Sequence, residues 1–497
     1  MLRARVLASI FTCLCLITAA TTSLAQATTR DDIRVGIQLE PPVLDPTITA
    51  AAAAGEITYC NVLEGLTVVD AEGRIAPRLA ESWRLSSDGL TYEFNLQDDV
   101  RFHDGSHFNA EVAAFSLNRI IARDSHNPQK KLFEKVRGID VLDKHRIAVR
   151  LTQPDALLPY ALAQTAAVIV HPDSVDTNAT HPIGTGPFRF AEWEAGRSVT
   201  LLRNDDYWSG KARLTRAQFL FMQTSVGTEN MLAEGLVDGL VSVTRLTNRF
   251  MVRPDYQMRE RKLESKLLLA INNARPPFND LRVRRALAHA VDRRGLLDLY
   301  GSELRPKLIG SHFPPSHPAY VDLVERYPYD PDRARALLAE AGVKPGTRVE
   351  LTIPPTDYGR YGSVRIAEDL EAVGFSVELK PVEWKEWMQD VFKDSDYALT
   401  LIMHVEPMDL NIYARDNYYF NYDNAGFKPI WDQVLNARSE AELNARLGDA
   451  QRRITEDAVN VFLFMRPEQN LMHRNLTGLW EKSPIPAFVL EDIYWTQ

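Results

Sequence analysis

The chain has 497 residues, of which 45% are apolar, 25% charged and 9% aromatic, with a formal charge of −9 at pH 7. That length supplies about three domain-sized units with cores of their own, and the composition excludes a disordered or fibrous protein. The acidic balance argues against a general nucleic-acid binder, whose surface would carry an excess of lysine and arginine.

Residues 1–27 differ from everything that follows. Arg3 and Arg5 precede an almost uncharged apolar run from Val6 to Ala20, and Ala25-Gln26-Ala27 offers a small-x-small cleavage site. This pattern predicts a cleaved secretory signal peptide, its apolar run too short for a comfortable membrane span. No lipobox precedes Cys13 or Cys15, so a free mature chain in the periplasm is expected. Removing the leader takes away two arginines and no acids; 55 basic residues then face 66 acidic ones, a charge of −11. Cys60 is left as the one cysteine, which excludes an intramolecular disulfide.

Asp32 to Leu39 alternates apolar and polar residues and predicts a strand, ended by the proline-rich loop Glu40-Pro41-Pro42 and Leu44-Asp45-Pro46. Strands follow at Thr91–Leu96 and Ile147–Leu151, with a helix over Ala110–Ala122 capped by Asn109. Residues 80–181 read as a unit of their own, inserted between 28–79 and 182–265. Ser198–Arg203 predicts a strand, and a helix beginning at Thr228 stops at Gly235. A strand over Lys266–Asn272 opens a second lobe, assigned to 266–480. It leads through Pro276 and Pro277 to a helix capped by Asn279 or Asp280, with Val283, Leu287 and Val291 at helical spacing. Tyr329–Gly342 predicts a short helix with Asp330 as cap, Pro331 in its first turn and Gly342 as stop. Strands at Val349–Ile353, Ser376–Val382 and Ala398–Met403 alternate with helices at Val364–Ala372 and Asn444–Glu456. Residues 481–497 are expected to return to the first lobe. The alternation predicts an α/β protein with a mostly parallel sheet.

Several motifs with chemical potential read as structure. His103 and His107 sit four apart, but Gly105 between them makes a turn rather than a metal-binding helix face. Gly184-Thr185-Gly186-Pro187-Phe188 is glycine-rich, yet Pro187 lacks the N–H a phosphate nest needs, so a strand–turn junction is expected. No Gly-x-Ser-x-Gly elbow occurs, and Cys60 has no local catalytic signature. No enzyme activity, metal or cofactor is therefore expected; a secreted hydrolase is the rival class.

Four segments occur in order: LAESWRLSSDGLTYEFNLQDDVRFHDGSHFNAEVAAFSLNRI from Leu79, PIGTGPFRFAEWEAGRSVTLLRNDDYW from Pro182, NNARPPFNDLRVRRALAHAVDR from Asn272, and YDPDRARALLAEAG from Tyr329. They resemble the extracytoplasmic solute-binding proteins of the dipeptide, oligopeptide and nickel class, family 5, which serve ABC importers. The resemblance implies two α/β lobes joined by a hinge, an extra subdomain in the first lobe, and a solute enclosed as the lobes close. It also implies a permease and an ATPase as partners, a monomeric carrier, and a peptide or peptide-like zwitterion as solute. Opines, nickel chelates and oligosaccharides are the alternatives.

In the family's peptide binders an aspartate near this point pairs with the ligand ammonium. In HVEPMDLNIYARDNYYFNYDNAGF, which starts at His404, Glu406 takes that place and Asp409 follows; Met403 or His404 stands where the family has an aromatic. An enclosed cation loses its water and needs a carboxylate with good hydrogen bonds. Pro407 would stiffen the turn, and His404 would add a donor. The family also sets an arginine against the peptide carboxylate. Arg360, between Tyr358 and Tyr361, lies in the matching loop, and its planar fork suits both oxygens. Tyr413, Tyr418, Tyr419, Phe420 and Tyr422 either wall a pocket or fill an irregular core segment. Trp384 and Trp387 are expected to pack on the sheet, and Glu40, Leu44 and Asp45 resemble the first-lobe rim of the cleft.

Overall fold

The computed structural model describes residues 30–222, 225–243, 253–261, 265–299, 306–406, 408–466, 468–482 and 485–496; the predicted leader and Pro407 lie outside the described residues. Among the described residues no helix is long and apolar enough to cross a membrane.

Two sheets define two lobes. The first has seven strands in the order Tyr256–Arg261, Glu468–His473, Gly239–Leu240, Asp32–Ile37, Arg216–Phe221, Ser198–Arg203 and Phe188–Glu194. Asp32–Ile37 runs parallel to both neighbours and buries Ile33, Val35 and Ile37 completely. The second has six strands in the order Lys307–Leu308, Asn460–Met465, Lys266–Ile271, Leu399–His404, Thr347–Ile353 and Phe375–Pro381. Its central strands, Lys266–Ile271 and Asn460–Met465, are buried at every residue, as the interior of a covered sheet requires.

A separate four-stranded antiparallel sheet, in the order Ala80–Leu85, Thr91–Leu96, Arg146–Leu151, Val136–Asp143, carries the helix Ala110–Ile121. Asn109 caps that helix by accepting from the Val112 N–H at 3.0 Å. This is the subdomain added to the first lobe.

The chain passes between the lobes where strands of one sheet run on toward strands of the other, from Arg261 to Lys266 and from Met465 to Glu468. The Ser265 hydroxyl donates to the Arg466 carbonyl at 2.7 Å and ties the two crossings together. Strand direction makes this side special. Ile37, Phe221 and Leu240 in the first lobe, and Ile353, Pro381 and His404 in the second, are carboxyl ends of parallel strands, and all lie on the hinge side of their sheets.

The expected mostly parallel sheet is in fact mixed in both lobes, with antiparallel pairs outnumbering parallel ones, because the chain enters and leaves each sheet on the same side. Three expected boundaries also shift. The chain rejoins the first lobe at Glu468, not at 481, because Glu468–His473 pairs with Tyr256–Arg261; its mixed sequence, EQNLMH, hides a strand. The helix expected from Val364 starts at Asp357, since Thr356 accepts from the Gly359 N–H and begins the turn earlier. The helix expected from Asn444 starts at Glu440, capped by Ser439.

The second resemblance segment, together with Arg78, closes on one buried carboxylate. Glu64, fully buried, accepts from Arg78 Nε (2.5 Å), Thr185 Oγ1 (2.7 Å), Tyr207 Oη (2.8 Å) and Trp208 Nε1 (3.1 Å). Gly184 and Gly186 are glycine because a Cβ on either would overlap the main chain of Asn61 or Val62. His103 locks the same turn: Nδ1 accepts from the Gly184 N–H and Nε2 donates to the Gly186 carbonyl.

Candidate functional site

Adjacent strands in a sheet lie about 4.8 Å apart, so loops leaving neighbouring parallel strands are neighbours too. Residues 405–409 follow Leu399–His404, and the helix Asp357–Ala372 follows Thr347–Ile353, the parallel strand beside it. Glu406 and Arg360 therefore follow adjacent strands at the carboxyl edge on the hinge side, and both are exposed. Tyr361 is exposed as well, at 62%. The helix of 16 residues directs its N-terminal N–H groups and the positive end of its dipole toward this edge. Clefts outside the carboxyl ends of parallel strands are where open α/β sheets bind ligands.

Beneath Glu406 lies a network closed on itself. The fully buried Lys266 ammonium sits 2.8 Å from Asp409 Oδ1 and donates to the Glu406 carbonyl at 2.6 Å. His312 Nε2 meets the same Asp409 oxygen at 2.6 Å, and His404 Nδ1 lies 3.4 Å from the other. Behind them, His404 Nε2 bonds the Tyr419 hydroxyl at 2.8 Å, and His312 Nδ1 bonds the Tyr413 hydroxyl at 3.0 Å. Burial alone would raise the Asp409 carboxyl, but His312 and Lys266 beside it hold it well below the usual carboxylate range. Burial pushes His312 down to about 4.

Four expected ligand residues already have partners within the chain or lie in its cores. Asp409 is neutralised by the chain's own lysine, and His404 is buried between Asp409 and Tyr419. Tyr419, with Tyr413 and Phe420, is core of the second lobe. Leu44 is fully buried in the first-lobe core, its N–H bonded to the Ala179 carbonyl. Except for His404, which ends the strand Leu399–His404, each stands in an irregular segment, where no period separates inside from outside. Glu40 is exposed at the first-lobe edge, but its carboxylate accepts from Trp193 Nε1 and the Gly196 N–H, both at 2.9 Å, and so braces a hairpin.

One exposed apolar surface escaped the sequence reading. Trp387 packs on the sheet as expected, its indole N–H bonded to Thr400 Oγ1 at 3.0 Å. Trp384, Met388 and Phe392, however, are 42, 40 and 41% exposed and form an apolar strip. Phe392 touches Tyr418 with ring centres 6.0 Å apart, and the charge of Glu406 reaches Tyr418. The spacing of four in this strip was the available signal.

His404, Glu406 and Asp409 each offer one ligand atom, all within 4.8 Å of one another. A divalent ion could bridge that spacing, but the Lys266 ammonium already supplies positive charge to Asp409. Cys60 is buried, and desolvation pushes its thiol up to about 12, the reverse of what a nucleophile needs.

The sequence is 30% identical over 350 residues to Di/tripeptide-binding protein 2 of Pseudomonas aeruginosa, covering 63% of this chain and 65% of that one. It is 25% identical over 489 residues to the Probable D,D-dipeptide-binding periplasmic protein DdpA of Escherichia coli, covering 91% and 92%. For three curated relatives, the first of these included, the chain spans only 56 to 65% of the relative's length. The structure of HbpA2 from Haemophilus parasuis has the same fold, with a TM-score of 0.83 at 21% identity, over 94% of this chain and 100% of that one. The profile of the Bacterial extracellular solute-binding proteins, family 5 Middle, matches residues 74–426, which take in the inserted sheet, the crossing from Arg261 to Lys266 and the Glu406 loop; the chain belongs to that family.

Proposed function

We propose that this protein is the periplasmic solute-binding component of an ABC importer, which encloses a peptide or peptide-like zwitterion between its lobes and hands it unaltered to a membrane permease. What supports this reading is that an exposed carboxylate, Glu406, and an exposed arginine near a helix N-terminus, Arg360, follow neighbouring parallel strands at the same hinge-side edge. Such an edge matches the ammonium and carboxylate ends of a zwitterion, while the Trp384–Met388–Phe392 strip offers apolar surface to what lies between. Relatives named for dipeptides and tripeptides and for a periplasmic location support the reading. Moving a clamp from 1:99 to 99:1 closed takes about 5.5 kcal/mol of differential binding, within reach of one desolvated charge pair and a few hydrogen bonds.

The test is native mass spectrometry of protein purified without denaturation, followed by calorimetric titration with dipeptides. Glu406→Gln should weaken an ammonium-bearing ligand by about 1–3 kcal/mol. Unchanged affinity would remove Glu406 from the role, and turnover of peptides or esters would favour a hydrolase instead.

A further inference from the structure

A cavity lies between the inserted sheet and the second lobe, with Met408 in its lining. Its volume is about 330 Å³, within the range of small-molecule sites. Trp83 and Tyr92 of the inserted sheet form one wall; Met408 and Leu443 of the second lobe form the other. The lobes meet directly at its floor, where the Ala156 N–H donates to the Leu435 carbonyl at 2.9 Å. An occupant would therefore touch both lobes and favour their closed arrangement.

The rim decides the charge of that occupant. Three arginines line the cavity, but two are already neutralised: Arg74 by Asp70 (2.9 Å) and Glu72 (3.1 Å), Arg84 by Glu93 (2.5 Å). The third, Arg438, has a guanidinium in no ion pair with a described carboxylate; its main-chain N–H donates to Glu442 Oε2 at 2.9 Å, and Asp88 acts on it through space. Its guanidinium crosses from the second lobe to lie over Gly89, where a Cβ would overlap it. Glu440, the acid on this rim, lies where its charge acts on Arg74.

We infer that this cavity is a second small-molecule site, for an aromatic-bodied monoanion whose carboxylate pairs with Arg438 while its ring lies between Trp83 and Leu443. The inference stands apart from the reading of Glu406, which the dipeptide titration tests separately. The probes are 3-phenylpropionate, 3-phenylpropan-1-ol and 3-phenylpropylamine, titrated calorimetrically into the full mature protein. The carboxylate should bind at least about tenfold more tightly than the alcohol, as a charge-assisted bond implies, and the amine should not bind. Arg438→Met, a change at an exposed residue, should erase that preference while the alcohol still binds. Leu443→Trp, which fills the cavity, should abolish both. No saturable binding of the carboxylate up to about 1 mM, or a preference that survives Arg438→Met, would overturn the assignment.

Discussion

Lys266 and Asp409 form the buried pair on which the Glu406 loop rests, and separating them gives a graded prediction. Asp409→Asn leaves the ammonium, fully enclosed, with the Glu406 carbonyl at 2.6 Å as its remaining partner in this network. Removing one member of a buried pair costs about 3–5 kcal/mol, and this variant should fall at the top of that range. Lys266→Met should fall near the bottom, because Asp409 keeps His312 at 2.6 Å and His404 at 3.4 Å. The combination Lys266→Met with Asp409→Leu leaves no orphaned charge and should lose less than the sum of the single changes by about 2 kcal/mol or more. Urea unfolding at pH 7.5 measures all three. The Lys266→Met deficit should shrink at pH 5.5: burial first and then the lysine charge keep His312 low, so without Lys266 the imidazole can take a proton beside Asp409. If Asp409→Asn costs less than about 1 kcal/mol, or if the single losses simply add, the pair is not the support described here.

Acid should destabilise the fold before its carboxylates titrate. Burial takes His312 down to about 4 and His317 to about 3, so between pH 6.5 and 4 the unfolded chain binds protons that the folded one refuses. Stability then falls with pH, by about 3 kcal/mol per histidine at pH 4, and His317→Phe should flatten the curve. Arg78→Met strands the fully buried Glu64 with three neutral donors and should cost about 3 kcal/mol in thermal or urea melts. Gly184→Ala should cost about 1–3 kcal/mol, because its Cβ meets the Val62 main chain, whereas Gly138→Ala, with open space at its Cβ, should be neutral.

The Glu64 socket explains why family and fold were legible in the sequence while the binding face was not. Thr185, Tyr207 and Trp208 lie in a contiguous segment that assembles the first lobe, so it reads clearly whatever the solute. The strands and helices were visible because burial on one face imposes a period. The loop His404–Asp409 has none. Whether Asp409 faces a ligand or the interior depends on Lys266, 143 positions away, and on His312. Glu406, expected to hold the solute's ammonium, is exposed, while its neighbour Asp409 is already paired with that lysine. Likewise the tyrosine cluster gave no sign of its depth, which His404 and the surrounding core decide.

The tether from Met465 to Glu468 spans three residue steps, so at full stretch it reaches only roughly 10 Å. The other, from Arg261 to Lys266, is longer by two steps. The halves cannot drift apart at that corner; they can only swing about it, like a book whose spine is stitched at one point. Gape at the far rim is then set by angle alone, and a solute too bulky for the swing is refused however well its charges match.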